Sequence, residues 1–318
     1  MELPQGVILR EFGDGAMAQL DRYSSIIWPD ESRSFQQQTD GKFVGVGIQI
    51  RESMSGEIIV TSPIEGSPAY YGGIQPEDTI LAVNGNSASG WSLNDAVDRI
   101  TGPRGTAVTL TVRREGEDNP IIDIMLTRDT IKLHSVQGWW KESLNKEGEP
   151  NWDWFIDKYN RIGYIRLSGF SEETYSDTLS AIQQMKQHAQ PNGLIVDLRY
   201  NPGGLLPTAH RIANLFVNSG TIVSCETSAG EVLFSMRALP NRAHLSDWPV
   251  VILINQSSAS ASEIVAGCVQ SHDAGIIVGN RSWGKGSVQT VHQITRDANV
   301  KLTTQYYRLP SADGGKTP

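Results

Sequence analysis

From Ile162 onward the chain alternates short apolar runs with stretches of helical periodicity, and this alternation constrains its fold more than any other feature. Ile162 to Leu167 reads as a strand, Glu173 to His188 as a helix, Gly193 to Arg199 as a continuous apolar strand and Leu205 to Phe216 as a helix. Val250 to Ile254, Ala261 to Gln270, Ala274 to Gly279 and Leu302 to Tyr307 continue the series as strand, helix, strand and strand. A strand that is apolar throughout needs cover from its neighbours, so this order implies a layered α/β domain. No internal repeat is present.

The remaining sequence has a different texture. From about Gly13 to Gln38 it reads as a short helix, a turn around Trp28-Pro29-Asp30 and a second helix, whose first turn holds Asp30 and Glu31 where the helix dipole favours them. Between Phe43 and Leu126 the pattern becomes short β-type runs punctuated by glycine: Val44 to Ile50, Ile58 to Val60, Thr79 to Val83, Val108 to Val112 and Ile121 to Leu126. Asn84-Gly85 marks a tight turn, since both residues tolerate positive φ. Ser92 is an N-cap candidate for a helix with Leu93, Ala96, Val97 and Ile100 on one face. A polar, tryptophan-rich stretch from Trp139 to Trp154 separates this β-rich module from the α/β region.

The chain has 318 residues, enough for about two domains with a buried core. Its net charge is -8 and its basic residues are scattered, so a nucleic-acid footprint is missing. No apolar run approaches the roughly 18 to 20 residues of a membrane span. Met1-Glu2-Leu3-Pro4-Gln5 lacks the basic-then-apolar plan of a secretion signal. Cys225 and Cys268 have no metal spacing and read as separate buried thiols, and the histidines form no HExxH pair. No metal and no cofactor is expected.

Four motifs carry chemistry, and each has a plain structural alternative. Gly45 and Gly47 let successive backbone N-H groups converge on a carboxylate, or they form a strand bulge. Asp197-Leu198-Arg199-Tyr200-Asn201-Pro202-Gly203-Gly204 ends a strand in glycine amides suited to an oxyanion, or is ordinary α/β punctuation. Ser257 to Ser262 follows a buried strand and opens a helix, as a nucleophile or as a helix cap. Gly279 to Ser287 nearly matches a phosphate loop, but Gly286 stands where the hydroxyl ligand belongs and the β-branched run that follows does not open a helix. A lysine between glycines beside Trp283 suits a desolvated amine acting as a base.

Taken in order, these motifs resemble the carboxyl-terminal processing peptidases, serine proteases with a Ser-Lys dyad. The resemblance covers residues 43 to 310: a PDZ-like module, then DLRYNPGG, SASASEI and GKGSVQ. It implies an α/β chain with a ClpP/crotonase-like catalytic domain, a β-rich PDZ domain and a short helical N-terminal segment. The corresponding boundaries are 1–42 for the helical segment, 43–130 for the PDZ domain and 131–318 for the protease domain. It further implies Ser260 as nucleophile, Lys285 as base and Gln289 as the residue that orients the base. Gly204, with Gly203 beside it, and Ala261 become the oxyanion donors. Val44, Gly45, Val46, Gly47 and Ile48 form the peptide-binding loop, and Leu93, Ala96, Val97 and Ile100 wall its side-chain pocket. The implied partner is a protein or peptide with a free C-terminus, met in the periplasm, the cell envelope or elsewhere outside the cytoplasm. Two competing functions remain at this point: a catalytically inactive PDZ scaffold that binds protein C-termini, and an acyl-CoA enzyme of the crotonase type, which needs no PDZ module.

Overall fold

Four of the apolar runs that constrain the sequence, between Ile162 and Gly279, lie side by side in one sheet of the computed structural model, which describes residues 4–116, 120–146, 148–295, 298–310 and 316–317. Contacts divide the chain into two compact units. One comprises the residues up to Gly41, His134–Trp140 and those from Asp153 onward; the other comprises Lys42–Leu133 and Lys141–Trp152.

In the first unit Ile162–Leu167, Gly193–Asp197, Val250–Ile254 and Ile276–Gly279 are consecutive parallel strands. Ile162 pairs with Gly193, Leu194 with Val250 and Val251 with Ile276. Parallel neighbours need long crossovers. Helices Thr174–His188, Leu206–Ala213 and Ala261–Ser271 lie within them. Ile165, Leu167, Leu194, Val196 and Ile252 are no more than 3% exposed, which explains why these runs show little polar alternation. Met185, Ile212 and Val265 are the matching buried residues of the helices. Parallel strands all end on the same edge. The turns after Gly193–Asp197 and Val250–Ile254, which hold Gly203-Gly204 and Ser260, therefore meet there.

A second sheet in this unit is built on Asn299–Pro310, which pairs antiparallel with Ser25–Ile27, Thr221–Glu226, Ser287–Gln293 and Lys316–Thr317. This strand is longer than the expected Leu302 to Tyr307. Ser25–Ile27, Thr221–Glu226 and Val232–Arg237 were not anticipated. Val232–Arg237 has no buried residue, so no alternation betrays it, and Ser25–Ile27 is too short to show a period. The first helix runs Gln5–Ala18, earlier than the expected start near Gly13, and none of its residues is buried.

The second unit is an antiparallel sheet in the order Ile48–Glu52, Ile58–Pro63, Thr79–Val83, Ala107–Arg113, Ile121–Thr127. Asn84 and Gly85 take φ of 50° and 76°, the conformation their identities suggested. Helix Leu93–Ile100 begins in a reciprocal cap: Ser92 Oγ accepts from the Asp95 amide at 3.2 Å, and Asp95 Oδ2 accepts from the Ser92 amide at 3.0 Å. Val60, Ala96, Leu110 and Val112 are fully buried at the centre of this unit. The polar stretch after Trp139 is not a plain separator, because Trp140–Leu144 and Pro150–Asp153 pair into a two-stranded ribbon. Such a ribbon imposes little apolar pattern on its sequence. Among the described residues no helix is long and apolar enough to cross a membrane.

Candidate active site

Strand Val250–Ile254 runs into Asn255 and then into a turn that ends at Ser260, the residue before helix Ala261–Ser271. Ser260 has φ 55° and ψ -113°, a conformation that a residue with a side chain enters only under strain. This geometry places a side chain on a sharp strand-to-helix corner, which is how α/β hydrolases present a serine. The other serines anchor the corner. Ser258 and Ser262 are fully buried and donate to the carbonyls of Leu198 (2.8 Å) and Asn201 (3.0 Å) in the neighbouring turn. Both therefore tie the two turns together instead of capping the helix.

The glycine turn is bound just as closely. Asn201 is buried, donates to Leu167 O at 2.8 Å and accepts the Gly203 amide on Oδ1 at 2.9 Å; its own carbonyl accepts the Ala259 amide. A methyl group on Gly203 would stand 2.8 Å from Ser260 Cβ and 3.0 Å from the Ala261 nitrogen. The glycine is what lets this turn touch the serine. The Gly203 amide is already engaged by Asn201, which corrects its expected place as a donor beside Gly204. Among the described residues, the Gly204 and Ala261 amides have no acceptor. Ala261 is the first residue of its helix, where an N-H has no intrahelical partner and the dipole favours negative charge.

Lys285 lies in the turn between Ile276–Gly279 and Ser287–Gln293. Glu263 joins this turn to the serine. Its Oε2 accepts the amides of Ser260 (2.7 Å) and Lys285 (2.9 Å), and its Oε1 accepts the Gly284 amide (2.6 Å) and the Ser282 hydroxyl (2.8 Å). Tyr307 donates its hydroxyl to Lys285 O and, at 3.4 Å, to Ser260 O. Burial holds the Lys285 ammonium below its ordinary pKa, helped by Lys301 and opposed by Glu263.

Two expectations about the base need correction. Trp283 is 57% exposed, so it does not wall in the amine; the ring beside Lys285 Nζ is Tyr23, with its centroid 4.8 Å away. Gln289 does not meet Lys285: its Nε2 donates to Ser287 Oγ at 2.9 Å and to Thr303 Oγ1 at 3.2 Å. No hydrogen bond joins Lys285 Nζ to Ser260 Oγ among the described residues. Trp283 still ties its turn to the serine turn, because its amide donates to Ser258 O at 3.0 Å. The loop leads into strand Ser287–Gln293 and opens no helix, which removes the phosphate-loop alternative. Cys225 and Cys268 are buried free thiols, pushed up by burial to about 11 and about 12, and take no part in the site.

In the antiparallel unit Gly45, Val46 and Gly47 form a buried link between Lys42–Gly45 and Ile48–Glu52, with Val44 exposed and Ile48 half-buried. Gly47 has φ 78°, and a methyl group there would stand 2.2 Å from Ser67 Cβ. Ile48–Glu52 is the edge of its sheet, so one side of its backbone is open to an added strand. Ala96 and Ile100 are buried in the core of this unit. They cannot wall a pocket as expected, which leaves Leu93 and Val97, both half-buried. The side chain of Val46 is likewise core, and only its backbone belongs to the loop.

Glu263 had one legible signal, since it stands three residues after the Ser260 cap, the spacing of a capping box. Tyr23, Thr303 and Tyr307 had none.

The fold defines the class first: an α/β unit with a serine on a strained strand-to-helix corner, in a chain that also carries a PDZ-like antiparallel unit. The Peptidase family S41 model matches residues 161–316, and the PDZ domain model matches residues 34–113. A carboxy-terminal-processing protease of Bartonella bacilliformis is 38% identical over 303 residues, covering 94% of this chain and 64% of that protein. A carboxy-terminal processing protease of Bacillus subtilis is 36% identical over 295 residues, covering 92% of this chain and 58% of that protein. The solved structure of a photosystem II D1 C-terminal processing protease is similar, with a TM-score of 0.51 and 26% identity over 97% of this chain and 77% of that one. The chain belongs to peptidase family S41, with a ClpP/crotonase-like α/β domain and a β-rich PDZ domain. It spans about three-fifths of the length of these two curated relatives.

Proposed function

We propose that the protein is a serine endopeptidase that binds the C-terminal tail of a protein or peptide substrate through residues 43–130 and hydrolyses a peptide bond in residues 131–318. Neutral Lys285 takes the proton from Ser260 Oγ, and Oγ attacks the scissile carbonyl. The oxyanion that forms is held by the amides of Gly204 and Ala261. Collapse breaks the C-N bond, and the leaving amine takes the proton from Lys285. Lys285 then removes a proton from a water that cleaves the acyl-enzyme, regenerating Ser260. By family resemblance this takes place in the periplasm, the cell envelope or elsewhere outside the cytoplasm.

One observation carries the reading. Ser260 sits on a strained corner whose following amide, Ala261, has no acceptor among the described residues, and Glu263 binds the amides of Ser260 and Lys285 together. Ser260→Ala and Lys285→Ala should each abolish peptide hydrolysis with the far-UV spectrum unchanged. A fluorophosphonate probe should label the wild-type chain at Ser260. Hydrolysis retained in Ser260→Ala would sink the assignment. Loss of activity in both variants, together with labelling, excludes an inactive scaffold.

A further inference from the structure

A turn far from the dyad in sequence reaches its base. Asp21 accepts the amides of Tyr23 (2.7 Å) and Ser24 (2.9 Å) and the Ser24 hydroxyl (2.6 Å), which makes 21–24 a closed turn. This turn is fastened to strand Asn299–Pro310 at Thr303, whose amide donates to Ser24 Oγ at 3.0 Å and whose hydroxyl donates to Asp21 Oδ1 at 3.1 Å. Thr303 Oγ1 also accepts from Gln289 Nε2, so a single chain of hydrogen bonds runs from Gln289 to Asp21. Held this way, Tyr23 presents its ring to Lys285 Nζ, 4.8 Å from the centroid, and its hydroxyl accepts from Trp283 Nε1 at 3.3 Å.

We propose that Tyr23 is a positioning residue for the peptidase reaction: its ring is the seat on which protonated Lys285 rests, and leaving that seat is part of delivering the neutral amine to Ser260. The proposal rests on the dyad reading above and extends it. An aromatic face attracts an ammonium and has no comparable pull on a neutral amine. The seat therefore favours the protonated form and opposes the burial that acts the other way. Among the described residues, the charged groups that act on the amine are Lys301 and Glu263; Tyr307 donates to the Lys285 carbonyl, Asp21 holds the turn of Tyr23, and the Arg22 guanidinium lies 4.7 Å from the centroid of the same ring. The hydrogen bonds of Glu263 to the Lys285 amide, of Tyr307 to the Lys285 carbonyl and of Asp21 to Thr303 do not run to the Tyr23 side chain, and Tyr23→Phe also keeps the face on which Arg22 lies.

The test is the pH dependence of acylation of the full chain by a fluorophosphonate probe, in wild type, Tyr23→Phe, Tyr23→Leu and Tyr23→Met, each checked for folding by its melting curve. Leucine and methionine keep apolar bulk over the amine and remove the aromatic face. Their acid limb should move to lower pH by roughly half to one and a half units, so that below the limb they acylate faster than wild type. Phenylalanine keeps the face and should leave the limb in place. A residue that only props up the fold would lower the plateau without moving the limb. An unmoved limb in the leucine and methionine variants, or one moved to higher pH, overturns the proposal while leaving Ser260 and Lys285 as the dyad. Labelling that persists in Ser260→Ala overturns the dyad reading itself, and the proposal with it.

Discussion

The amides of Ser260 and Lys285 share one acceptor, Oε2 of Glu263, at 2.7 and 2.9 Å. The nucleophile and the base come from turns that follow different strands, and this carboxylate sets their spacing at the level of the backbone. Its other oxygen holds Gly284 and Ser282, so all of its capacity serves the two turns.

Glu263→Gln should therefore damage the site more than its size suggests. One oxygen becomes an amide NH2 group, a donor that faces backbone donors and cannot accept from them. The expected result is a fall in kcat of about a hundredfold, from a displaced nucleophile and base, and a loss of ~1–3 kcal/mol of stability from unsatisfied amides. Steady-state hydrolysis and urea denaturation measure the two effects separately. Full activity in this variant would mean that the shared acceptor does not position the pair.

Much of this arrangement was legible in the sequence. Apolar runs such as Val250 to Ile254 show no polar face because neighbours cover them, and Gly203 and Gly204 stand out because only glycine fits their contacts. What could not be read depends on pairing between remote segments. Tyr23 meets Lys285 because Ser25–Ile27 adds to Asn299–Pro310, and no local pattern in either segment announces that pairing. The helix Leu93–Ile100 shows a different limit. Its periodicity grouped Leu93, Ala96, Val97 and Ile100, but it could not say that Ala96 and Ile100 turn to the core while Leu93 and Val97 stay half-exposed.

Gly203 and Gly204 should fail in different ways. A methyl group at Gly203 would stand 2.8 Å from Ser260 Cβ and from Ala259 O, at φ +104°, so Gly203→Ala pushes on the nucleophile and strains its own turn. Misplacing a reacting group by about an ångström costs on the order of a hundredfold in rate, and the loss should fall on kcat. A methyl group at Gly204 would stand 2.2 Å from Phe170 O, a backbone atom with little freedom to move, at φ +147°. Gly204→Ala should cost ~1–3 kcal/mol of stability as well as activity. Melting curves measure the strain in each variant, which should be larger at Gly204, and single-turnover rates measure the displacement of the nucleophile at Gly203.

The state of Lys285 should appear in the pH dependence of both rate and stability. Burial lowers its pKa from the ordinary 10.5, so activity should rise with pH along a limb that lies below 10.5. Between the folded value and 10.5 the unfolded chain holds this proton and the folded chain does not. This group's contribution to stability therefore increases with pH across that window. Below the window both states are protonated, and the folded protein carries the unfavourable burial of an ammonium. Lys285→Met should be inactive, more stable than wild type at neutral pH, and without the alkaline gain. Urea midpoints from neutral pH to 10.5 read this directly, and a methionine variant that is less stable at neutral pH would contradict it.

Recognition of a free C-terminus should depend on the backbone around Gly47 more than on any side chain. At φ 78° this glycine lets the loop turn into the open edge strand Ile48–Glu52. Its carbonyl is fixed by the Ile64 amide and the Ser67 hydroxyl, so the loop is preformed. Gly47→Ala would drive a methyl group to 2.2 Å from Ser67 Cβ and dismantle that arrangement. Peptides with a free C-terminus should bind the variant at least tenfold more weakly, ~1.4 kcal/mol, as measured by fluorescence anisotropy. Amidating the peptide should cost the wild type a similar factor, because the loop amides then meet no carboxylate, and should cost the variant much less. Equal binding of free-acid and amidated peptides by the wild type would show that this loop does not read the terminal carboxylate.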